Sequence, residues 1–365
     1  MVRTQFLTAS RLLPCLVILA CGDGTGPGGG DPTGNRIAFL SSGNVWSMRE
    51  DGTNQVALTR DEIGPYDGAS GPLHWSPDGT RLMATLHRRH PAGPVDELAV
   101  VAADGGYRTV ASSLGQGLIG GSWSPDGQRL AYIKATTSHF GSTVIFTVRT
   151  DGTDEDYVIT DSLSLNERLV FHDLSPQWSP DGQEIAFVSD RPVPDGPYFS
   201  MHAFIARVDS SGWRQLLPGI VSDVQWSPDG ERLAMVVGQY GYRNADFPFG
   251  IAVTNRNGTG YTLLSQQGNV DLGPIWSPDG SQLAFSSTRD GNWEVYVMNA
   301  DGSGVRRLTN DPGEDFAGPW SPDGTRIAFV TNRDGNSEVY KVNVDGTGLA
   351  NLTRSPHEET SPAWK

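Results

Sequence analysis

Trp-Ser-Pro-Asp-Gly begins at Trp75, Trp123, Trp178, Trp226, Trp276 and Trp320. With a further Trp at Trp364, the spacings are 48, 55, 48, 50, 44 and 44 residues. Two residues beyond each Gly stands Arg, Gln or Glu, followed by Leu or Ile, as in Gln282-Leu283-Ala284-Phe285 and Arg326-Ile327-Ala328-Phe329. Pro holds φ where a turn needs it at the second position, Asp suits the third, and Gly can take positive φ at the fourth. Each copy is therefore a Trp-ended strand, a tight turn and a second strand. Val339-Tyr340-Lys341-Val342 alternates as a third strand, Asp345-Gly346 is a second turn signal, and Leu349 to Thr353 is a fourth run. The second turn recurs seven times, at Asp51-Gly52, Asp104-Gly105, Asp151-Gly152, Ser211-Gly212, Asn257-Gly258, Asp301-Gly302 and Asp345-Gly346.

Four short strands in every 40–50 residues are the mark of propeller blades. The two ends of the array complement each other. Arg36-Ile37-Ala38-Phe39 follows a turn, Asp31-Pro32-Thr33-Gly34, but glycines occupy the place of its Trp strand; Ser361-Pro362-Ala363-Trp364 is a Trp strand with nothing after it. The expectation is an all-β fold: a seven-bladed β-propeller of four-stranded antiparallel blades over residues 35–365, closed by the C-terminal strand pairing into the first blade.

The remaining residues read as an address and a tether. Arg3 and Arg11 precede an apolar run from Leu12 to Ala20, too short to span a bilayer and suited to a secretory signal. Ile18-Leu19-Ala20-Cys21 resembles the lipobox of bacterial lipoproteins. That resemblance implies cleavage after residue 20 and a lipid on Cys21. Residues 21–34, rich in Gly, then form a flexible tether. Gly22 rather than an acid follows the cysteine, which on the same resemblance points to the outer membrane, facing the periplasm. A formal charge of −15 excludes nucleic acid as a partner, since phosphate binding rests on Lys and Arg.

The Trp-Ser-Pro-Asp-Gly copies, the Ile-Ala-Phe strand and Glu294-Val295-Tyr296-Val297-Met298-Asn299-Ala300-Asp301-Gly302 together resemble the WD40-like repeats of the TolB and tricorn class, over about nine-tenths of the chain. TolB itself places an α/β domain before a six-bladed ring, whereas seven units are counted here behind a glycine tether. The resemblance implies an envelope protein that binds other proteins. Related propellers accompany prolyl peptidases, but no Gly-x-Ser-x-Gly nucleophile elbow occurs in this sequence.

Copies within one chain separate scaffold from elaboration. Both tight turns fall on one face of the ring and hardly vary. The other face carries the second-to-third and fourth-to-first connections, which differ greatly. There the candidate partner-binding residues are Arg88, Arg89, His90, His139, Arg168, His172, Arg191, Tyr240, Tyr242, Arg243 and Phe247, since varied loops on a rigid scaffold carry binding and Arg and aromatic residues favour interfaces. Solvated loops of drifting length are the plain alternative. The repeated Trp is read as packing between blades rather than a sugar platform, and the repeated Asp as turn-former rather than calcium ligand.

The expected function is an envelope-anchored, monomeric, non-catalytic scaffold for a protein or cell-wall component, with no cofactor. The alternative is a polysaccharide lyase or hydrolase using a divalent metal held by His87, His90, His139 and His202. A purely structural part in a larger assembly is the third reading, and it predicts an exposed apolar patch.

Overall fold

The computed structural model describes residues 34–60, 68–114, 117–135, 142–159, 171–192, 201–217, 219–238, 249–265 and 268–365. The expected signal, Cys21 and nearly all of the tether lie outside these. The described residues form seven four-stranded antiparallel sheets and no helix. Blade 1 runs from the inside outward as Glu359–Trp364, Arg36–Ser41, Asn44–Arg49 and Val56–Ala57. The C-terminal strand therefore supplies the innermost strand of the first blade, as the sequence predicts. Blades 2 to 7 follow in chain order, starting at Gly68–Trp75, Leu118–Trp123, Asp173–Trp178, Ile220–Trp226, Asp271–Trp276 and Asp315–Trp320. These Trp strands touch one another in cyclic order and form the inner wall of the ring.

Local chemistry explains why the same short sentence makes the same sheet. In each of the six turns the Ser hydroxyl bonds the Asp carboxylate at 2.5–2.6 Å. The Asp also accepts the N–H two residues on, as from Thr80 at 2.9 Å. The Ser76 and Thr80 bonds lower Asp78 to about 2, so the turn is held by an ionised carboxylate. Gly79 closes the turn at φ +65, where only glycine is at ease. The repeated Asp thus makes turns, as expected. The closing blade copies the arrangement across the break in the chain: the Lys365 N–H bonds the Arg36 carbonyl at 2.9 Å, as Ser76 bonds Arg81 at 2.7 Å.

A sheet with two apolar faces must cover both. The core is accordingly split into seven clusters, each lying between two neighbouring blades. At the tight-turn end of each junction stands the repeated Trp. Five of the seven indole N–H groups donate to the carbonyl of the residue preceding the previous blade's Trp: Trp75 to Ala363, Trp123 to His74, Trp226 to Gln177, Trp276 to Gln225 and Trp320 to Ile275, at 2.8–3.4 Å. Arg81, Arg232 and Arg326, each the second residue after a turn Gly, lie over the rings of Trp123, Trp276 and Trp364 at 4.8–5.4 Å. Blades approach closely here: a Cβ on Gly121 would meet Pro176 Cγ at 2.5 Å and the Ala131 carbonyl at 2.7 Å.

The opposite end of the blades uses a second repeated device. The acid that opens the inner strand of blades 4, 6 and 7 pairs with an Arg 18 residues later: Asp173 with Arg191, Asp271 with Arg289 and Asp315 with Arg333. All three Asp side chains are fully buried. Aromatic rings flank the guanidinium groups: Phe171 and Trp213, Phe285 and Tyr296, Phe329 and Tyr340. In blade 1 the acid is Glu359, buried and bonded to Ser41 at 3.0 Å, and the position matching the Arg is Gly43. One Glu359 oxygen is left without a hydrogen bond.

Two predictions follow from these contacts. Trp178 also has a buried indole N–H with no hydrogen bond, so Trp123→Phe should cost about 1 kcal/mol more than Trp178→Phe in denaturant unfolding, the net worth of one hydrogen bond. Equal costs would show that the indole bonds are incidental. Burial, together with the charges of Glu338 and Glu358, raises Glu359 from 4.5 to about 7. The native state thus holds a proton that the unfolded chain has released, and its stability falls as pH rises from about 4.5 through about 7. Glu359→Gln should flatten that slope and add up to about 3 kcal/mol at pH 8, the equivalent of the shift; an unchanged profile in thermal melts would place the titration elsewhere.

Candidate functional site on the variable face

The strand order puts the Ser-Pro-Asp-Gly and Asp-Gly turns on one face and the second-to-third and fourth-to-first connections on the other. Among the described residues, the variable face is most built up on blade 2. There the second and third strands, Arg81–His90 and Gly93–Ala102, have ten residues each, against six in blades 1, 4, 6 and 7. The outer strand Tyr107–Leu114 has eight, against two in blades 1, 3, 5, 6 and 7.

This changes the expected setting of His87-Arg88-Arg89-His90. They are not a loop but the last four residues of a strand, in register with Asp96, Val95, Pro94 and Gly93. The reason lies in cross-strand partners, which can carry a sheet beyond its core. The Arg88 guanidinium donates to Glu97 at 2.8 Å and to the Tyr107 hydroxyl, and lies over the Tyr107 ring at 5.4 Å. Arg89 and His90 are exposed at the hairpin end, where His90 Nδ1 accepts the Ala92 N–H at 3.3 Å.

Of the other expected residues, the two that are described, His172 and Arg191, lie on blade 4, away from this hairpin. His172 immediately precedes the inner strand of blade 4, two blades away, and lies exposed with Nδ1 2.8 Å from Asp190, which raises its pKa. Arg191 corrects the sequence reading: it is 1% exposed and sealed into its pair with Asp173, so it holds a blade together rather than meeting a partner. The Asp-to-Arg interval of 18 residues, present three times in the sequence, was the signal for that role. His139, Arg168, Tyr240, Tyr242, Arg243 and Phe247 lie outside the described residues.

Of the four histidines proposed for a metal, His87, His90 and His202 each have a ring nitrogen in a hydrogen bond, and His139 lies outside the described residues. His87 uses both ring nitrogens, as set out next. His202 is buried and its Nδ1 accepts the Gly219 N–H at 3.2 Å. Among the described residues no three His, Cys, Asp or Glu side chains are grouped to hold one ion. Exposed large apolar side chains are spread round the ring, with Tyr107 and Leu114 on blade 2, Tyr261 on blade 5 and Leu349 on blade 7.

Sequence reasoning missed one polar constellation. His87 Nε2 is hydrogen-bonded to the Ser70 hydroxyl, and Nδ1 lies 2.6 Å from Asp96 Oδ1. Asp96 Oδ2 accepts the Gly117 and Leu118 N–H groups of blade 3 at 2.7 and 3.2 Å. The three residues come from the inner, second and third strands of blade 2. Their spacings of 17 and 9 residues match no local motif, and only the sheet register brings them together.

The sequence profile of the TolB beta propeller domain matches residues 200–309 and 251–365. A 112-residue stretch is 32% identical to the Tol-Pal system protein TolB of Alcanivorax borkumensis, covering 31% of this chain and 23% of that protein. The chain thus spans about a quarter of that relative's length. The solved TolB of Acinetobacter baumannii superposes with a TM-score of 0.53 at 16% identity, over 90% of this chain and 66% of that one. An oligogalacturonate lyase solved in complex with manganese superposes with a TM-score of 0.60 at 15% identity, over 87% and 85% of the two chains. At such identities these two likenesses are of fold. Repeats, blade architecture and sequence profile agree: the chain is a propeller of TolB-like repeats, and its residues 200–365 match the TolB beta propeller domain.

Proposed function

We propose that this propeller is a protein-binding scaffold of the cell envelope, tethered through a lipid on Cys21, whose variable face on blades 2 to 5 receives the partner. One observation carries the reading. The tight-turn face repeats one hydrogen-bonded design from blade to blade, whereas the variable face, among the described residues, departs from it most in the extended hairpin that carries Arg88, Arg89 and His90. A rigid ring with one uniform and one individual face is suited to holding a partner. The curated relative is named as a member of the Tol-Pal system, which supports an envelope setting. The cationic hairpin stands out on a chain of formal charge −15, so the surface that meets it is acidic or rich in aromatic rings, chemistry that Arg engages well. The outer membrane, facing the periplasm, is the placement that Gly22 after Cys21 suggests.

The substitutions that test the reading are Arg89→Ala and Arg243→Ala, at two of the candidate partner-binding residues. In a crosslinking pull-down from an envelope extract with tagged full-length chain, the double variant should capture its partner about tenfold less well, the usual weight of an interface Arg. Equal capture by parent and variant would remove this face from the reading.

A further inference from the structure

Ser70, His87 and Asp96 have an arrangement that a scaffold does not require. Asp96 is 3% exposed. Burial alone would raise its pKa, but the bonds from His87, Gly117 and Leu118 outweigh this and hold it below the usual carboxylate range. An ionised carboxylate can only accept, so the proton of a neutral His87 sits on Nδ1. Nε2 then presents its lone pair, and the Ser70 hydroxyl donates to it. That is the ground-state order of a serine nucleophile, its base and the acid that fixes the base's tautomer. Among the described residues this Ser-His-Asp relay occurs in blade 2 alone, so it is not a packing device of the repeat.

The surroundings suit chemistry as well. Met83 and Leu98 belong to the apolar core between blades 2 and 3. Along the same strands, two positions beyond Met83 and two before Leu98, come Thr85 and Asp96, and the core gives way to polar groups. The His87 side chain keeps 35% of its surface exposed, and Ser70 is half-buried. Immediately after Ser70 the ladder is interrupted until His74, and Gly71 turns at φ +77. The inner strand of every blade carries such a bulge, and in blade 2 it falls beside Ser70. The N–H directly after a nucleophilic serine is a common donor to the developing oxyanion, and here it belongs to Gly71.

We propose that Ser70 is a nucleophile for small-acyl carboxylic esters, with His87 as general base and then general acid, and Asp96 as positioning residue. Ser70 Oγ forms a bond to the ester carbonyl carbon while its proton passes to His87 Nε2. The carbon–alkoxy bond breaks and the alcohol leaves with that proton. Water then attacks the acyl-Ser70 ester and gives a proton to Nε2. The carboxylic acid departs, and Ser70 Oγ recovers the proton. No oxidant or reductant enters. Only a small acyl group suits a hydroxyl that is itself half-buried. This activity goes beyond the scaffold reading and does not rest on it.

The test uses purified full-length chain, a biotinylated fluorophosphonate and p-nitrophenyl acetate. Peptide mapping should find the probe on Ser70, and Ser70→Ala should abolish labelling and ester hydrolysis while leaving the melting temperature unchanged. His87→Gln should slow both by about 100-fold or more, the usual share of a general base. Asp96→Asn should lower kcat by a similar factor, leave KM near its parent value and flatten the rise of rate with pH, which a merely structural role would not do. A folded parent whose labelling and ester hydrolysis equal those of Ser70→Ala would overturn the proposal, as would labelling confined to another serine.

Discussion

A four-stranded sheet with apolar side chains on both faces is not stable on its own, and everything in this ring follows from covering the two faces at once. The tie is the Trp at the end of each inner strand. Its ring fills the junction with the preceding blade, and in five blades its N–H reaches across to that blade's backbone. A backbone carbonyl is a fixed target, so the bond sets the angle between blades as well as their separation. The arginines over the Trp rings seal the same junctions from outside. Seven such junctions return the chain to its starting point, which makes the closing strand a requirement of the geometry.

One end of each junction is therefore committed to structure. The other end has a looser rule: an acid opening the inner strand must be neutralised or otherwise accommodated. Blades 4, 6 and 7 do this with an Arg between aromatic rings. Blade 1 uses a hydroxyl and a proton at Glu359. Blade 2 has Ser70 at that position, and there His87 meets Ser70 and Asp96.

The fold was legible in the sequence because its information is local and repeated. The turn at Ser76-Pro77-Asp78-Gly79 needs only residues 76 to 81 to form its bonds, and six copies removed ambiguity. The closure at Trp364 was legible because a Trp strand without a follower and a following strand without a Trp are complementary. The site was less so. Arg191 has the composition of an interface residue, yet its environment depends on Asp173, Phe171 and Trp213, which arrive from other strands. His87-Arg88-Arg89-His90 read as loop because its polarity gave no alternation; the partners that make it a strand, Asp96, Glu97 and Tyr107, lie across the sheet. Contacts set by register are invisible to spacing along the chain.

The borrowed inner strand of blade 1 has a consequence for assembly. Ser41 and Glu359, bonded across the closure, are 318 residues apart, so the first blade to be synthesised is the last to be completed. Until residues 359–364 arrive, the strand Arg36–Ser41 offers an unpaired edge and blades 1 and 7 each show an uncovered face, the kind of surface on which foreign strands pair. Contacts of such long range form slowly. The chain therefore spends its maturation as an open crescent, and whatever guards that crescent matters as much to the finished ring as any residue within it.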